Sequence, residues 1–336
     1  MDFLFFAMKT HKFTLKKHYL YIRRIKMDKF VIIPDVTCDL TKELREEFNI
    51  KEYIRGYVHI NDQSLRTDLE WESISREEFY KKLSNKKNTV SSATASPEEY
   101  YQVFKTYVEE GYAVLSMSIS SKISATYNVA SSAAKRIKED YPDCRVYCMD
   151  TMRMSGSFGL LVLYASKLQQ EGKSFEETIA WLEENKVCVH QMGPIDDLTF
   201  IARRGKISAG KAFMGNLAGI KPLGDSNSEG YVTVLAKVKG IKKAMDATVE
   251  YVKATATNVE DQYLLIAHSD RDQYAQDLKE KLEANVKCKN IYITDVFGGC
   301  GTNIGPGMIG VYFLGNPISE ECAVEKEILT NCIAKL

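Results

Sequence analysis

The segment Ala113–Ala134 reads AVLSMSISSKISATYNVASSAA. It opens as an apolar run of strand length, through Ile119, and closes with helical spacing from Ser124 onward. From Ser118 to Ala134 seven of the seventeen residues are Ser or Thr. A strand that hands over to a helix through small hydroxyls looks like the carboxyl end of a parallel strand, where open α/β sheets bind their ligands. Ser124 reads as the helix N-cap. Free backbone N–H groups and the helix dipole then favour an anion at that end. A capped helix with no ligand explains the same residues.

Working outward, the elements on either side repeat the pattern. Lys29–Pro34 (KFVIIP) is a buried strand ending at Asp35, Tyr53–Ile60 is a second strand, and Val146–Asp150 is another. Helices are expected over 41–49, 75–83, 97–110, 124–141, 160–170 and 175–185, with NKKNTVSSATAS as a polar loop. Strands alternating with helices give an α/β fold with a doubly wound parallel sheet. Beyond about His190 the pattern changes to a short helix, the amphipathic segment SAGKAFMGNLAGI and a hairpin turning at Asp225–Gly230. Strands over 263–267 and 290–296 follow, around a helix over 274–284. One amphipathic helix is expected from Ile318 to the end. The chain thus divides into an N-terminal α/β domain (28–190) with polar strand ends and a C-terminal α/β domain (191–336). Residues 1–27 carry seven cations against a single acid and read as a disordered basic extension.

Composition narrows the function. Among 336 residues, 45 Lys and Arg balance 45 Asp and Glu, which removes the electrostatic footprint of a nucleic-acid binder. No apolar run reaches the roughly eighteen residues of a membrane span. The eight cysteines include no C-x-x-C pair, and Cys144 and Cys148 stand about 13 Å apart along a strand. No metal site is expected, and free thiols suit the cytoplasm. The glycine-rich FGGCGTNIGPGM (Phe297–Met308) lacks the Gly-Lys-Ser/Thr of a P-loop. It reads either as a close backbone approach to a ligand or as a plain loop. No G-x-S-x-G occurs, and His268, at a strand end, is the one histidine within reach of a cleft. A serine-dependent hydrolase or acyltransferase acting through Ser124 is the alternative reading, and it lacks a base.

Five stretches, in order, resemble the DegV family of bacterial fatty acid-binding proteins. They are IIPDVTCDL, TDLEWESISREEFYKKL, ISSKISATYNVASSAA, IARRGKIS and GTNIGPG. The resemblance implies two α/β domains holding one long-chain fatty acid between them, no cofactor and no enzymatic activity. It also implies, for some relatives, presentation of the bound carboxylate to a fatty acid kinase subunit. It leaves room for transient membrane contact. Carried over residue by residue, the carboxylate contacts are Ser92, Ser124, Ala125 and Asn303. Ala125 stands where the family has glycine and Asn303 where it has histidine. Lys206 replaces an arginine, and Arg204 a glycine. An apolar stripe of Phe213, Met214, Leu217 and Ile220 serves either as the wall for the alkyl tail or as plain core. Arg203, Arg204 and Lys206 form a basic turn suited to an acidic partner or to solvent.

Overall fold

The first strand, Phe30–Pro34, is buried along its whole length. It pairs in parallel with Ala113–Ser118, which pairs in parallel with Val146–Asp150. The computed structural model describes residues 29–203, 206 and 219–336. The extension 1–27 and the expected site residues Arg204, Phe213, Met214 and Leu217 lie outside the described residues, as does the Arg203 side chain.

A second sheet differs from expectation. Tyr57–Ile60 does not join the parallel sheet but lies between Gln63–Arg66 and Val90–Ala93, antiparallel to both. Val90–Ala93 comes from the stretch read as a polar loop. Alternation explains it: Val58 and Ile60 point inward onto Phe79, Tyr80 and Leu83 of the helix Arg76–Ser84, and Val90 joins them.

The remaining sheet has the order 290–295, 263–268, 309–314, 189–192, and only its first pair is parallel. Val189–Met192 pairs with Ile309–Leu314 along its whole length, so the expected division at 190–191 falls inside a strand of this sheet. The hairpin joins Ile220–Ser226 to Val232–Lys239. Ile220 therefore opens a strand opposite Lys239, rather than ending a helical stripe. The C-terminal helix begins at Ala323, because Glu321 and Cys322 adopt left-handed backbone angles (φ 49° and 56°) just before it.

The helix Ser155–Gln170 lies between the sheets. Every residue from Ser155 to Ser166 is buried, as a helix apolar on all faces requires. It packs on the first strand and the turn after it, and also on 263–268 and 309–314. It starts five residues before the expected Leu160 and takes in Gly156 and Gly159. A Cβ at Gly156 would lie 2.2 Å from the Tyr312 ring, and one at Gly159 2.4 Å from the Cys38 carbonyl oxygen. Only glycine lets these backbones approach so closely. The main hydrophobic cluster is accordingly continuous, from Ile32 and Leu115 through Phe158 and Leu161 to Leu265 and Tyr312.

Asp39 fixes that arrangement. It follows the turn Val36–Cys38 in a left-handed conformation (φ 52°) and is fully buried. Its carboxylate accepts from Ser155 Oγ at 2.6 Å and from Phe297 N at 2.9 Å, while its carbonyl accepts from Thr294 Oγ1. Burial holds the Asp39 carboxyl well above the usual carboxylate range, against the hydrogen bonds from Ser155 and Phe297.

Asp39→Ala leaves buried partners unpaired and should lower stability by roughly 2–4 kcal/mol in chemical denaturation. Asp39→Asn keeps an acceptor for Phe297 N and offers an amide donor to Ser155, and should lose less. The native state retains a proton that the unfolded chain releases near pH ~4, so this group's contribution falls as pH rises from there toward the raised value. Stability of Asp39→Asn relative to wild type should therefore grow with pH, by at most ~1.4 kcal/mol per unit. A difference that shrinks as pH rises would contradict the protonated carboxyl.

Candidate functional site

The loop after the strand Ala113–Ser118 is tied to the ends of both neighbouring strands. Ile119 N donates to Asp35 Oδ2 at 2.9 Å, and Ser121 N donates to Asp150 Oδ1 at 3.1 Å. Asp35 Oδ1 is occupied as well, by Thr37 N at 2.8 Å and by the Thr37 hydroxyl. Burial pushes the Asp35 carboxyl up, against these hydrogen bonds. Asp35, at the end of the first strand, is thus spent on positioning loops.

The loop delivers Ser124 to the start of the helix Thr126–Asp140. The N-cap is Ala125, one residue later than expected, because its carbonyl accepts the first helical bond, from Val129 N at 3.0 Å. Ser124 closes a turn instead. Its Oγ accepts from Thr126 N at 3.3 Å and lies 2.8 Å from Thr126 Oγ1.

Ser124 and Ala125 face a cavity of about 470 Å³, within the usual range for a small-molecule site. Ser92 lines the opposite wall, from the strand Val90–Ala93. Asn303 lines the third, from the glycine-rich segment, which folds as the helix Gly298–Ile304 rather than as a loop. Asn303 Nδ2 donates to Ser92 Oγ at 3.2 Å, joining the second sheet to this helix. Four expected residues, Ser92, Ser124, Ala125 and Asn303, thus meet around one space. Ser92, Ala93 and Ala125 are exposed and form its mouth, while Asp35 and Tyr100 are buried at its floor.

Lys206 requires a correction. It was grouped with Arg203 and Arg204 as a partner-facing or solvated patch, yet it lines this cavity, and its ammonium donates to the Ile123 carbonyl. The main chain brings it there: Lys206 N bonds Ile201 O at 3.3 Å, and Lys206 O accepts from Val232 N at 3.3 Å. Sequence reading passed over this cation because one lysine in a basic run has no local mark of direction.

Beside the polar cavity lies an apolar one of about 50 Å³, walled by Met154, Ile195, Ile201, Val232, Ile304 and Met308. Ile304 follows Asn303 on the same helix. Ile220 lines neither cavity.

The three histidines among the described residues are engaged elsewhere. The His59 ring stacks on Tyr57. His190 bonds Asp225 at 3.1 Å and the Asn316 carbonyl at 2.8 Å. His268 Nδ1 accepts from Arg271 N at 3.2 Å, and burial holds its pKa below the ordinary value. None of the three bonds Ser124. His268, Asp272 and Asp295 offer three ligand atoms within 4.8 Å of one another. Arg76 already pairs with both carboxylates, at 2.7 and 2.8 Å, and Trp71 Nε1 donates to Asp295 at 2.8 Å. A salt-bridged latch between sheets accounts for this group better than a cation site does.

The model of the DegV family, described as a family of uncharacterised proteins, matches residues 29–316. A DegV domain-containing protein of Clostridium perfringens is 31% identical over 290 residues, spanning 86% of this chain and 99% of its own. Among solved structures, a DegV family protein of Thermus thermophilus reported to bind fatty acid is 27% identical, with a TM-score of 0.77. The match covers 85% of this chain and 99% of that one. A DegV lipid-binding protein of Thermotoga maritima is 25% identical with a TM-score of 0.75, covering 86% and 99%.

The Asn303–Ser92 contact should behave as a coupled pair. Asn303→Ala and Ser92→Ala should each lower stability by about 0.5–1.5 kcal/mol, and the double variant by no more than the larger single change. Additive losses in a thermal double-mutant cycle would show that the contact is not made.

Proposed function

The chain belongs to the DegV family, and from that premise we propose that it is a non-catalytic carrier of one long-chain fatty acid. The observation that carries the proposal is the convergence of Ser92, Ser124, Asn303 and Lys206 on one cavity beside an apolar space. Two hydroxyls, an amide and an ammonium are donors suited to a carboxylate. The carboxylate sits among them, with Ala125 at the rim, and the alkyl tail enters between Ile201, Ile304 and Met308. At about 50 Å³ that space must widen to admit a long chain. The flexible side chains of Met154 and Met308 suit such widening.

Magnitudes assign the roles. Burying ~15 methylenes at ~0.8 kcal/mol each contributes ~12 kcal/mol gross, before the cost of association. One hydrogen bond to a charged group adds ~1.5–3 kcal/mol. The tail supplies affinity and the head contacts set its orientation. The exposed mouth at Ser92, Ala93 and Ala125 supports a further step, presentation of the carboxylate to a kinase subunit. The described cysteines are all free thiols, and no helix among the described residues is long and apolar enough to cross a membrane. Both features suit a cytoplasmic carrier.

Native mass spectrometry against the denatured mass tests the proposal directly. The expected result is a bound species of fatty acid mass. A ligand-free protein that also refuses added C14–C18 acids overturns it. In fluorescent fatty acid titrations, Ser124→Ala and Lys206→Ala should each weaken binding by roughly 1–3 kcal/mol. Unchanged affinity would remove that residue from the head-group site.

Asn303 gives a pH test. Asn does not titrate, whereas a histidine beside a carboxylate gains a proton near or above pH ~6.5. Asn303→His should make affinity climb as pH falls from 8 to 6, within the ~1.5–3 kcal/mol of a charged hydrogen bond. Identical pH profiles for the two proteins would show that residue 303 does not face the carboxylate.

A further inference from the structure

The space proposed for the alkyl tail is not apolar all round. Its walls include three side chains with polar groups, Ser155, Gln191 and Tyr312. Ser155 Oγ is spent on Asp39 at 2.6 Å, and the Tyr312 hydroxyl is engaged by Ser155. Gln191 is left over. It stands directly opposite Tyr312 in the strand pairing, so both side chains leave the sheet on one face. Val189 shares that face, and Val189 and Tyr312 both belong to the main hydrophobic cluster. The Gln191 amide therefore enters an apolar surround. Its oxygen lies 3.4 Å from Ser157 Oγ, but the single Ser157 hydrogen goes to the Met154 carbonyl at 2.6 Å. Its nitrogen makes no hydrogen bond among the described residues. Gln191 is half-buried rather than sealed, so the amide is open to the space it lines.

From the open Gln191 amide we infer that this space recognises a hydroxyl group on the acyl chain, and that the ligand class includes long-chain hydroxy fatty acids. The inference rests on the lipid-binding reading above and narrows its substrate class. A plain alkyl tail that fills the space displaces water from the amide and leaves a buried polar group unpaired. A hydroxyl on the chain both donates and accepts, as the amide does, and restores the pairing. A second carboxylate on the chain fits less well, because no Lys or Arg among the described residues lines this space.

The test is competitive displacement of a fluorescent fatty acid from delipidated protein. The competitors are 10-hydroxystearate and 12-hydroxystearate against stearate, and 16-hydroxypalmitate against palmitate. Wild type should bind at least one hydroxy acid within about threefold of its parent, whereas an unpaired buried hydroxyl would weaken it about tenfold or more. Gln191→Met keeps the bulk of the side chain and removes the amide. It should turn the ratio against that hydroxy acid by about tenfold and tighten the parent acid about two- to fivefold. Gln191→Leu carries the comparison if Gln191→Met does not fold. Wild type that binds the parent acids and holds every hydroxy acid more than about threefold weaker overturns this inference and leaves fatty acid binding intact. An unchanged ratio in the variants also overturns it. Wild type that binds none of these lipids overturns both readings.

Discussion

A single buried carboxyl group joins three segments far apart in the chain. Asp39 ends the turn after the first strand, accepts from Ser155 at the head of the central helix and accepts from Phe297 at the head of the glycine-rich helix. Burial pushes its pKa up, and the hydrogen bonds from Ser155 and Phe297 work against that rise. Part of the cavity wall is set at this junction. It fixes where the central helix starts and aims the glycine-rich helix so that Asn303 meets Ser92.

The acids nearer the cavity work in the same way. Asp35 and Asp150 each take the backbone N–H groups of the serine-rich loop, and so hold Ser124 in place without offering a charge to a ligand. The cation on the cavity wall is Lys206, whose carbonyl accepts from Val232 N in the hairpin. Acids thus position the loops, while hydroxyls, one amide and one ammonium line the cavity.

Much of this was legible in the sequence, and the failures have physical causes. Strands and helices with strong periodicity appear where their pattern indicates: Val146–Asp150 and Phe175–Asn185 match their expected bounds. Gln63–Arg66 and Val90–Ala93 did not show, because short polar strands owe their existence to partners across the sheet. The helix Gly298–Ile304 was hidden by its glycines, which suit a site where Tyr80, Phe79 and Val58 press closely on its backbone. Serine and asparagine positions at the cavity were readable from the family motifs. Lys206 was misread, since its direction depends on a strand that begins more than twenty residues later.

The central helix has a consequence for synthesis. Apolar on every face, it leaves the ribosome with the first sheet available to cover one side and nothing yet made to cover the other. Its far face meets Leu265 and Tyr312, which are translated only near the end of the chain. Until then a greasy surface stays open to other molecules in the cell. Such a nascent chain is a natural client for holding chaperones. Truncation before the strand Ile309–Leu314 should send the product to degradation rather than release a usable half.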